Sequence, residues 1–274
     1  TDMLELYLEQ GYVPELELLV VDEAQDLSKL QWKMVHKLAE KAKKVVIAGD
    51  DDQAIFQWAG ADLAYFVQLE GKVKVLDQSY RIPKDVYATA SSIINRVGIR
   101  RQKVWNSKEE KGAVTYHTTT DSINMNNGSW LVLGRNSYLV DKVEEQCRRE
   151  GLIYERNDRK SVKETSLSAI QNWEKLRKGE SLEATAVNKC LKFLKRKITA
   201  LPEEGMFSLQ KLKDNWGVTR TDIWHDAFER MSLIERSYLI AALRHGEKLT
   251  KTPRIRLSTI HSAKGGEADN VIVS

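Results

Sequence analysis

Short apolar runs that end in acidic residues are the first pattern along this chain. The run Leu18–Val21 ends at Asp22, and the run Val45–Ala48 ends just before a second acidic cluster. Short continuous apolar runs with polar flanks are typical of strands buried in a parallel sheet. Helical patterns over residues 30–43 and 84–96 alternate with these runs. The alternation predicts an α/β fold, with catalytic carboxylates at the carboxyl ends of two buried parallel strands, where such sheets bind ligands.

The second half of the chain repeats this alternation and then interrupts it. The pattern predicts a strand over Trp130–Arg135, a helix from about Tyr138 to Glu150, and a short strand over Leu152–Tyr154. Ile255–Thr259 has the pattern of the strand that should follow, but it comes a hundred residues later. The intervening residues show helical periodicity and lack strand alternation, which predicts a helical insertion.

The predicted insertion has one apolar helical face and one basic face. The apolar positions are Val187, Leu191, Leu194 and Ile198. The basic positions are Lys189, Lys192, Lys195, Arg196 and Lys197. A solvated lysine face explains the basic side, and contact with nucleic acid is the alternative. The tryptophans at 173, 216 and 224 are predicted to pack inside this helical region.

The acidic residues after the first run suggest hydrolysis of a nucleoside triphosphate. Two adjacent carboxylates in a buried crevice are costly unless a cation neutralises one of them. Asp22 is then the candidate magnesium ligand, and Glu23 is the candidate base or water-positioning residue. The alternative is that this pair only begins a helix, because acidic side chains stabilise helix amino termini.

Four segments of the chain combine acidic, glycine-rich or aromatic residues in a distinctive order. They are Asp22–Asp26, Gly49–Ala61, Leu76–Arg81 and Leu257–Glu267. In order, they resemble the Walker B motif, the sensor motif, the tyrosine-arginine motif and the second-core motif of UvrD/Rep-like superfamily 1 helicases. The resemblance implies parts of two RecA-like parallel-sheet domains, with a small helical insertion in the second. It also implies that Mg²⁺ and ATP bind between the two cores.

The resemblance also implies roles around the nucleotide. Gln53 would sense the terminal phosphate of ATP, Arg81 would contact the same phosphate, and Tyr80 would stack on the adenine. A guanidinium suits these roles because it binds phosphate oxygens bidentately and stays charged. On the second core, the residues implied at the nucleotide are Lys264, Gly265 and Glu267.

Contacts to the nucleic-acid strand are implied for Trp58, Phe56, Thr259 and His261. Trp58 is the candidate stacking platform, because base stacking on an aromatic ring is worth roughly 1 to 3 kcal/mol and tolerates any base. The chain departs from the family at two positions. Ala59 stands where an arginine is common, and Gly266 stands where an apolar residue is usual, so one phosphate contact and the local packing differ from expectation.

The segments divide the chain as follows. The carboxyl-terminal part of a first core is predicted over residues 1–97, a linker over 98–112, an incomplete second core over 113–156 and 253–274, and a helical accessory insertion over 157–252. The linker prediction comes from basic and polar composition, and a solvated loop explains that composition equally well.

A phosphate-cradling P-loop is missing from the sequence. That loop needs G-x-x-x-x-G-K-[ST], and the only Gly-Lys pair, Gly71-Lys72, is followed by Val73 and lacks the upstream glycine. The sequence ends on the strand-like run Asn270–Val273, before the family's final arginine motif would come. We therefore expect a fragment of a helicase that hydrolyses ATP negligibly by itself.

Composition adds little to this expectation. The 274 residues suffice for about two domains, and the net charge of +4 neither supports nor excludes binding to nucleic acid. Cys147 and Cys190 cannot by themselves build a disulfide framework or a zinc site. The sequence shows no secretory signal and no long apolar span, so a reducing cytoplasm and no membrane contact are expected.

The functional expectation is part of an ATP-dependent DNA helicase or translocase. As the resemblance implies, it would couple ATP hydrolysis to movement, 3′ to 5′, on single-stranded or partly duplex DNA. Two alternatives stay open: a non-catalytic module that binds single-stranded nucleic acid, and the helicase-like part of a helicase-nuclease. The sequence does not identify protein partners.

Overall fold

The chain folds into two units, which are separated after Tyr116. The computed structural model describes residues 2–195, 198 and 201–274. Helices alternate with mostly parallel strands. The predicted α/β fold class is therefore confirmed, and the parallel sheets are compatible with parts of RecA-like domains. The assignment of segments to two helicase cores, a linker and an accessory insertion stays a prediction.

The first unit contains four helices and two strands among its described residues. In chain order they are α1 (Asp2–Gln10), β1 (Leu19–Val21), α2 (Lys29–Ala39), β2 (Val45–Ile47), α3 (Leu63–Gln68) and α4 (Lys84–Ile94). The predicted helices over 30–43 and 84–96 correspond to α2 and α4. Ser28 begins α2 with a capping box, in which its hydroxyl accepts from the Gln31 backbone and the Gln31 side chain accepts from the Ser28 backbone.

The strands β1 and β2 are parallel, as predicted, with Leu19 opposite Val45 and Val21 opposite Ile47. Their predicted burial is wrong, because only one face of the pair is covered. Val21 and Ile47 pack towards a small core formed by Ala24, Trp32 and Val35. Successive side chains of a strand point to opposite faces, so Val20 and Val46 turn the other way. Val20 is 57% exposed.

The second unit contains one main sheet, one two-stranded antiparallel sheet and six helices among its described residues. Its elements are β3 (Trp130–Gly134), α5 (Ser137–Glu150), β4 (Tyr154–Arg156), β5 (Arg159–Lys160), α6 (Glu164–Arg177), β6 (Leu182–Glu183), α7 (Ala184–Leu191), β7 (Met206–Phe207), α8 (Leu209–Trp216), α9 (Trp224–Ala227), α10 (Leu233–Arg244), β8 (Ile255–Thr259) and β9 (Asn270–Val273). The pairing of β6 with β7 corrects the expectation that this stretch is purely helical.

The main sheet has the strand order β5-β4-β8-β3-β9, and all its pairs except β4-β5 are parallel. The late strand β8 therefore lies between β4 and β3, which confirms that Ile255–Thr259 continues the sheet. The strand predicted over Leu152–Tyr154 begins only at Tyr154. The reason is the end of α5, where Gly151 adopts φ 72° and the Leu152 backbone N–H donates to the Cys147 carbonyl over 2.8 Å.

One hydrophobic core runs through the second unit, from the sheet to the helices between β5 and β8. Val132 and Ile255 of the sheet belong to the same cluster of buried residues as Trp173 and Trp224, and Trp216 packs against it. The predicted packing of these tryptophans is confirmed. Helix α7 ends at Leu191, and the predicted apolar residues 187, 191 and 194 are all buried. Of the predicted basic positions, Arg196 and Lys197 lie outside the described residues.

Both cysteines are buried and free. Burial raises the pKa of each thiol to about 12, so the reactive thiolate is scarce at neutral pH. We expect Cys147 and Cys190 to resist a disulfide reagent such as dithionitrobenzoate in the folded chain, and both to react once guanidinium chloride unfolds it. Absorbance of the released thionitrobenzoate measures this. Rapid modification of either thiol under native conditions would contradict the buried placement.

Candidate functional site

The carboxyl end of β1 carries the first candidate pair. Asp22 follows the strand directly, and Glu23 precedes a 3₁₀ turn over Ala24–Asp26. Both residues are exposed. The predicted buried carboxylate pair is therefore wrong: β1 ends at the surface, where water screens the two charges. Their roles as magnesium ligand and water-positioning residue stay predictions.

Glu23 holds an unusual backbone conformation, with φ 52° and ψ 37° in the left-handed region. For a residue with a Cβ this costs on the order of 1 to 3 kcal/mol, and such strain is concentrated at functional sites. The backbone N–H of Glu23 donates to Asp22 Oδ1 over 2.8 Å. This conformation sets the direction in which the Glu23 side chain leaves the strand end.

Gln25 is fully buried and joins the two acidic motifs. Its Nε2 donates to Glu23 Oε2 over 2.6 Å, and its Oε1 accepts from the backbone N–H of Asp50 over 2.9 Å. Gly49 makes this bridge possible, because a Cβ at that position would lie only 2.5 Å from Gln25 Oε1. The glycine is therefore required by close approach of a side chain.

Asp50 carries the connection onward to Gln53. Its Oδ1 accepts from the backbone N–H of Asp52 over 3.2 Å, which caps the 3₁₀ turn Asp51–Gln53. Its Oδ2 accepts from Gln53 Nε2 over 2.6 Å. Hydrogen bonds thus connect Glu23, Gln25, Asp50 and Gln53 in sequence, so the structure brings the candidate base and the candidate phosphate sensor together.

Three consecutive aspartates, at positions 50, 51 and 52, are held by basic residues from the segment 98–112. We call Arg100, Arg101 and Lys103 the basic clamp. Arg100 binds Asp52 bidentately, with Nε–Oδ1 and Nη2–Oδ2 distances of 2.8 and 2.9 Å. The Arg101 backbone N–H donates to Asp51 Oδ2 over 2.6 Å. The Lys103 ammonium contacts Asp50 and Asp51, and lies 3.2 Å from Asp52 Oδ2.

The clamp keeps these groups charged. Burial by itself would raise the pKa of Asp50, but hydrogen bonds from Lys103 and Gln53 outweigh it and hold that pKa below its ordinary value. Burial would likewise lower the pKa of Lys103, and the carboxylates of Asp50 and Asp51 raise it instead. Hydrogen bonding to Asp52 raises the pKa of Arg100. The cluster is therefore a set of ion pairs at neutral pH.

The same segment supports the two candidate residues of the tyrosine-arginine motif. The Ser79 backbone N–H donates to the Asn106 carbonyl over 2.8 Å. Ser79 Oγ then accepts from the backbone N–H of Arg81 over 3.4 Å. Tyr80 is 85% exposed and Arg81 is also exposed. Residues 98–112, for which a linker and a solvated loop were equally favoured, thus make specific hydrogen bonds within the first unit.

The candidate stacking residues lie on a 3₁₀ turn over Gln57–Ala59, which ends at Gly60 with φ 96°. Trp58 is 72% exposed. Its ring lies 6.5 Å from that of Phe56, centroid to centroid, with 47° between the planes. The exposed indole of Trp58, beside the partly buried phenyl ring of Phe56, offers a flat surface to a base. Base stacking on Trp58, as predicted from the sequence, requires such a surface.

The second unit collects its candidates in one loop after β8. Thr259 ends the strand, and its hydroxyl accepts from the backbone N–H of Ser262 over 3.3 Å. His261 Nε2 lies 3.3 Å from Arg135 Nη1, beyond the end of the neighbouring β3. The loop continues through the partly buried Lys264, the left-handed Gly265 (φ 79°) and the exposed Glu267.

Gly266 stands where the family usually has an apolar residue, and its surroundings show how much room a side chain would have. A Cβ there would lie 3.0 Å from the Ala263 carbonyl oxygen and 3.6 Å from Leu131 Cδ2. An apolar side chain would therefore need a small shift of the loop, and glycine relieves that crowding. The Glu267 carbonyl accepts from Arg256 Nη2 over 3.0 Å, which holds the loop onto β8.

The candidate residues fit a magnesium nucleotide only in part. Within the described residues, no group of three or more His, Cys, Asp or Glu side chains is arranged to hold a metal ion. Mg²⁺ bound to a nucleotide needs only one or two protein carboxylates, because phosphates and waters fill its other positions. The exposed carboxylate of Asp22 suits that role. The sequence contains no P-loop to cradle the phosphates.

Comparison with known proteins relates one segment of this chain to a helicase family. Residues 7–74, which include both acidic motifs, match the family model of the UvrD/REP helicase N-terminal domain. The amino-terminal part of this chain is therefore similar to UvrD/Rep-like helicases. The recognition from the sequence motifs is thereby confirmed for this segment.

Individual relatives of the UvrD/Rep-like segment carry the name ATP-dependent DNA helicase PcrA. Those from Bacillus subtilis (strain 168) and Leuconostoc citreum are each 30% identical over 112 residues. The relative from Staphylococcus aureus (strain Mu50) is also 30% identical over 112 residues. In each case the match covers 39% of this chain and 15% of the relative. The chain therefore matches only a small part of these relatives.

The structure of the first unit adds residues to the candidate site that sequence reasoning missed. Gln25 and Asp50 stand inside the motifs but received no role, because a hydrogen-bonded bridge between strand ends leaves no periodic signal. Arg100 and Lys103 lie in the segment 98–112, whose basic and polar composition predicts only a linker or a solvated loop. A run of three aspartates at 50–52 was the available signal, since adjacent carboxylates near a strand end require cations.

Within the part of the chain that the structure describes, no helix combines the length and apolar character that crossing a membrane requires.

Proposed function

We propose that this chain is part of an ATP-dependent DNA helicase or translocase that moves 3′ to 5′ on single-stranded DNA. The observation that carries this proposal is the hydrogen-bonded connection from Glu23 through Gln25 and Asp50 to Gln53. It lies in the segment that matches the UvrD/Rep family. A rigid link between a water-positioning carboxylate and a phosphate sensor is what hydrolysis of a terminal phosphate needs.

In this proposal the first unit acts on the terminal phosphate of ATP. Asp22 would hold a magnesium ion, whose positive charge would neutralise the phosphates when it is bound. Glu23 orients the attacking water and accepts its proton. Gln53 contacts the terminal phosphate, and the guanidinium of Arg81 stabilises the negative charge that develops there.

The remaining nucleotide contacts are proposed from exposure and chemistry. Tyr80 presents an exposed ring for the adenine. In the second unit, Lys264 supplies positive charge for phosphate oxygens and the left-handed Gly265 lets the backbone approach a ligand closely. Glu267 supplies a carboxylate that accepts from a ribose hydroxyl.

Nucleic acid is proposed to bind through Trp58 and Phe56 in the first unit and through Thr259 and His261 in the second. We expect Trp58→Ala to weaken binding of single-stranded DNA by about 1 to 3 kcal/mol, or roughly 5- to 150-fold, because one base loses its stacking partner. Fluorescence anisotropy with a labelled oligonucleotide measures this at fixed salt. Tyr12→Ala removes an equally exposed aromatic side chain outside the proposed surface and should change affinity less than about 2-fold. Equal losses in both variants would contradict a specific platform at Trp58.

ATP hydrolysis with and without single-stranded DNA tests the proposed function. The comparison is between this chain and a version extended through a P-loop before residue 1 and through the final arginine motif after residue 274. We expect DNA-stimulated hydrolysis from the extended version only, because the 274-residue chain lacks the P-loop lysine and backbone cradle. Robust ATP hydrolysis by the 274-residue chain would contradict the requirement for a P-loop.

The other outcomes separate the alternatives. If the extended chain binds DNA and never hydrolyses ATP, the protein is a non-catalytic binding module and the motor function is wrong. Cleavage of DNA by the extended chain, in addition to hydrolysis of ATP, would identify a helicase-nuclease.

A further inference from the structure

The carboxylate of Asp50 is shared between the proposed phosphate sensor and the basic clamp. Its Oδ2 accepts from Gln53 Nε2 over 2.6 Å. Its Oδ1 accepts from the Lys103 ammonium and from the Asp52 backbone N–H, the latter over 3.2 Å. Lys103 therefore fixes the orientation of this carboxylate through Oδ1. The orientation in turn determines where the Gln53 amide can donate to Oδ2.

The direction of the Gln53 amide follows from this arrangement. An ionised carboxylate only accepts hydrogen bonds, so the nitrogen of the Gln53 amide, and not its oxygen, must face Asp50. With one N–H used and the amide planar, the second N–H and Oε1 point in directions that Asp50 determines. A rotation of the Asp50 carboxylate would turn both of these groups.

Charge explains why Lys103 is the residue that fixes Asp50. Aspartates 50, 51 and 52 are consecutive, and like charges at this spacing repel strongly when they are partly buried. The Lys103 side chain is 14% exposed and its ammonium contacts all three carboxylates. Arg100 binds only Asp52 among them through its side chain. Loss of the Lys103 charge would therefore release Asp50 from its orientation, whereas loss of Arg100 would not.

We propose that Lys103 is a positioning residue, which holds Asp50 so that Gln53 presents its amide to the terminal phosphate in one fixed direction. The proposal rests on the proposed function for its chemical consequence. Lys103 lies fifty positions after Gln53 in the sequence. In this proposal the segment 98–112 supports the nucleotide site without contacting the nucleotide itself. Lys103 acts through Asp50.

The competing explanation is that the basic clamp only attaches residues 98–112 to the first unit. Arg100 supplies the matched control, because its bidentate ion pair with Asp52 is as buried as the Lys103 contacts. A purely structural clamp predicts that Lys103→Met and Arg100→Met have the same consequences. The positioning role predicts that Lys103→Met changes the orientation of the Gln53 amide and that Arg100→Met does not.

Nuclear magnetic resonance on the 274-residue chain distinguishes these explanations without any nucleotide. The side-chain amide signals of Gln53 are assigned by their loss in Gln53→Leu. We expect Lys103→Met to move them towards the positions of a solvent-exposed glutamine, and Arg100→Met and Lys103→Arg to leave them near their wild-type positions. Unchanged signals in Lys103→Met, or equal movement in Lys103→Met and Arg100→Met, would overturn the proposal. Should Lys103→Met not fold, Lys103→Gln replaces it, since this also removes the ammonium charge and should move the same signals.

Kinetics in the extended chain test the chemical consequence. We expect Lys103→Met to lower kcat by about 10- to 100-fold, the scale of a misplaced catalytic group, with KM for ATP changed less than about 2-fold. Lys103→Arg should restore most of kcat. A rise in KM with unchanged kcat would overturn the positioning role. If the wild-type extended chain fails to hydrolyse ATP, the proposed function is wrong, and the amide signals of Gln53 still decide whether Lys103 positions it.

Discussion

Glu23→Gln in the extended chain is expected to lower DNA-stimulated ATP hydrolysis by about 10²- to 10⁴-fold, the range for losing a positioned general base. Glutamine keeps the shape of the side chain, and its amide oxygen can still accept the hydrogen bond that Gln25 Nε2 donates. The variant therefore keeps the connection to Asp50 and Gln53. It loses only the negative charge that orients water and accepts a proton. Steady-state release of phosphate, with and without single-stranded DNA, measures the effect.

Glu17→Gln is the matched control for this variant. Glu17 is an exposed glutamate of the same unit that pairs with Lys43 on the surface, over 2.5 Å, and such exposed pairs contribute about 0 to 1 kcal/mol. Its hydrolysis rate should stay within about 2-fold of wild type. Nucleotide binding should survive in both variants, because the proposed nucleotide contacts of Asp22 and Tyr80 are unchanged. A Glu23→Gln protein that hydrolyses ATP at the wild-type rate would remove Glu23 from the proposed chemistry.

The strand ends could be predicted because each signal is local. The runs before Asp22 and Asp50 are short, apolar and bounded by polar residues, and parallel strands place such ends at the same edge of a sheet. Burial could not be predicted in the same way. Whether Val20 is covered depends on which elements pack against each face, and the run Leu19–Val21 carries no information about that.

The basic clamp shows where the sequence stops being informative. Arg100 and its partner Asp52 are 48 positions apart, and nothing in either neighbourhood specifies the other. Composition favours a linker or a loop for residues 98–112 because charged segments are usually solvated. The tertiary contacts with Asp50, Asp51 and Asp52 override that tendency, since three adjacent carboxylates require cations close by.

The second unit shows a smaller error with a local cause. Apolar residues at 152 and 153 have the pattern of a strand, yet the strand starts at Tyr154. Gly151 ends α5 in the left-handed conformation, and the backbone of Leu152 is used to close that helix end. Both Leu152 and Ile153 are buried but precede β4, so hydrophobicity identified their burial correctly and their secondary structure wrongly.

Trp173→Ala is expected to destabilise the second unit by about 3 to 5 kcal/mol, the range for removing a large aromatic side chain from a core. Trp173 is 0% exposed, its ring lies 5.7 Å from that of Phe228, and its Nε1–H donates to the Asp222 carbonyl over 2.9 Å. Truncation leaves a cavity and an unsatisfied carbonyl. The core is continuous from the helices to the sheet, so we expect β3 and β8 to lose hydrogen-exchange protection together with α6.

Leu233→Ala is the control for this variant. It trims an exposed side chain of the same unit and should change the free energy of unfolding by less than about 0.5 kcal/mol. Loss of protection confined to the helices would show that they unfold independently of the sheet.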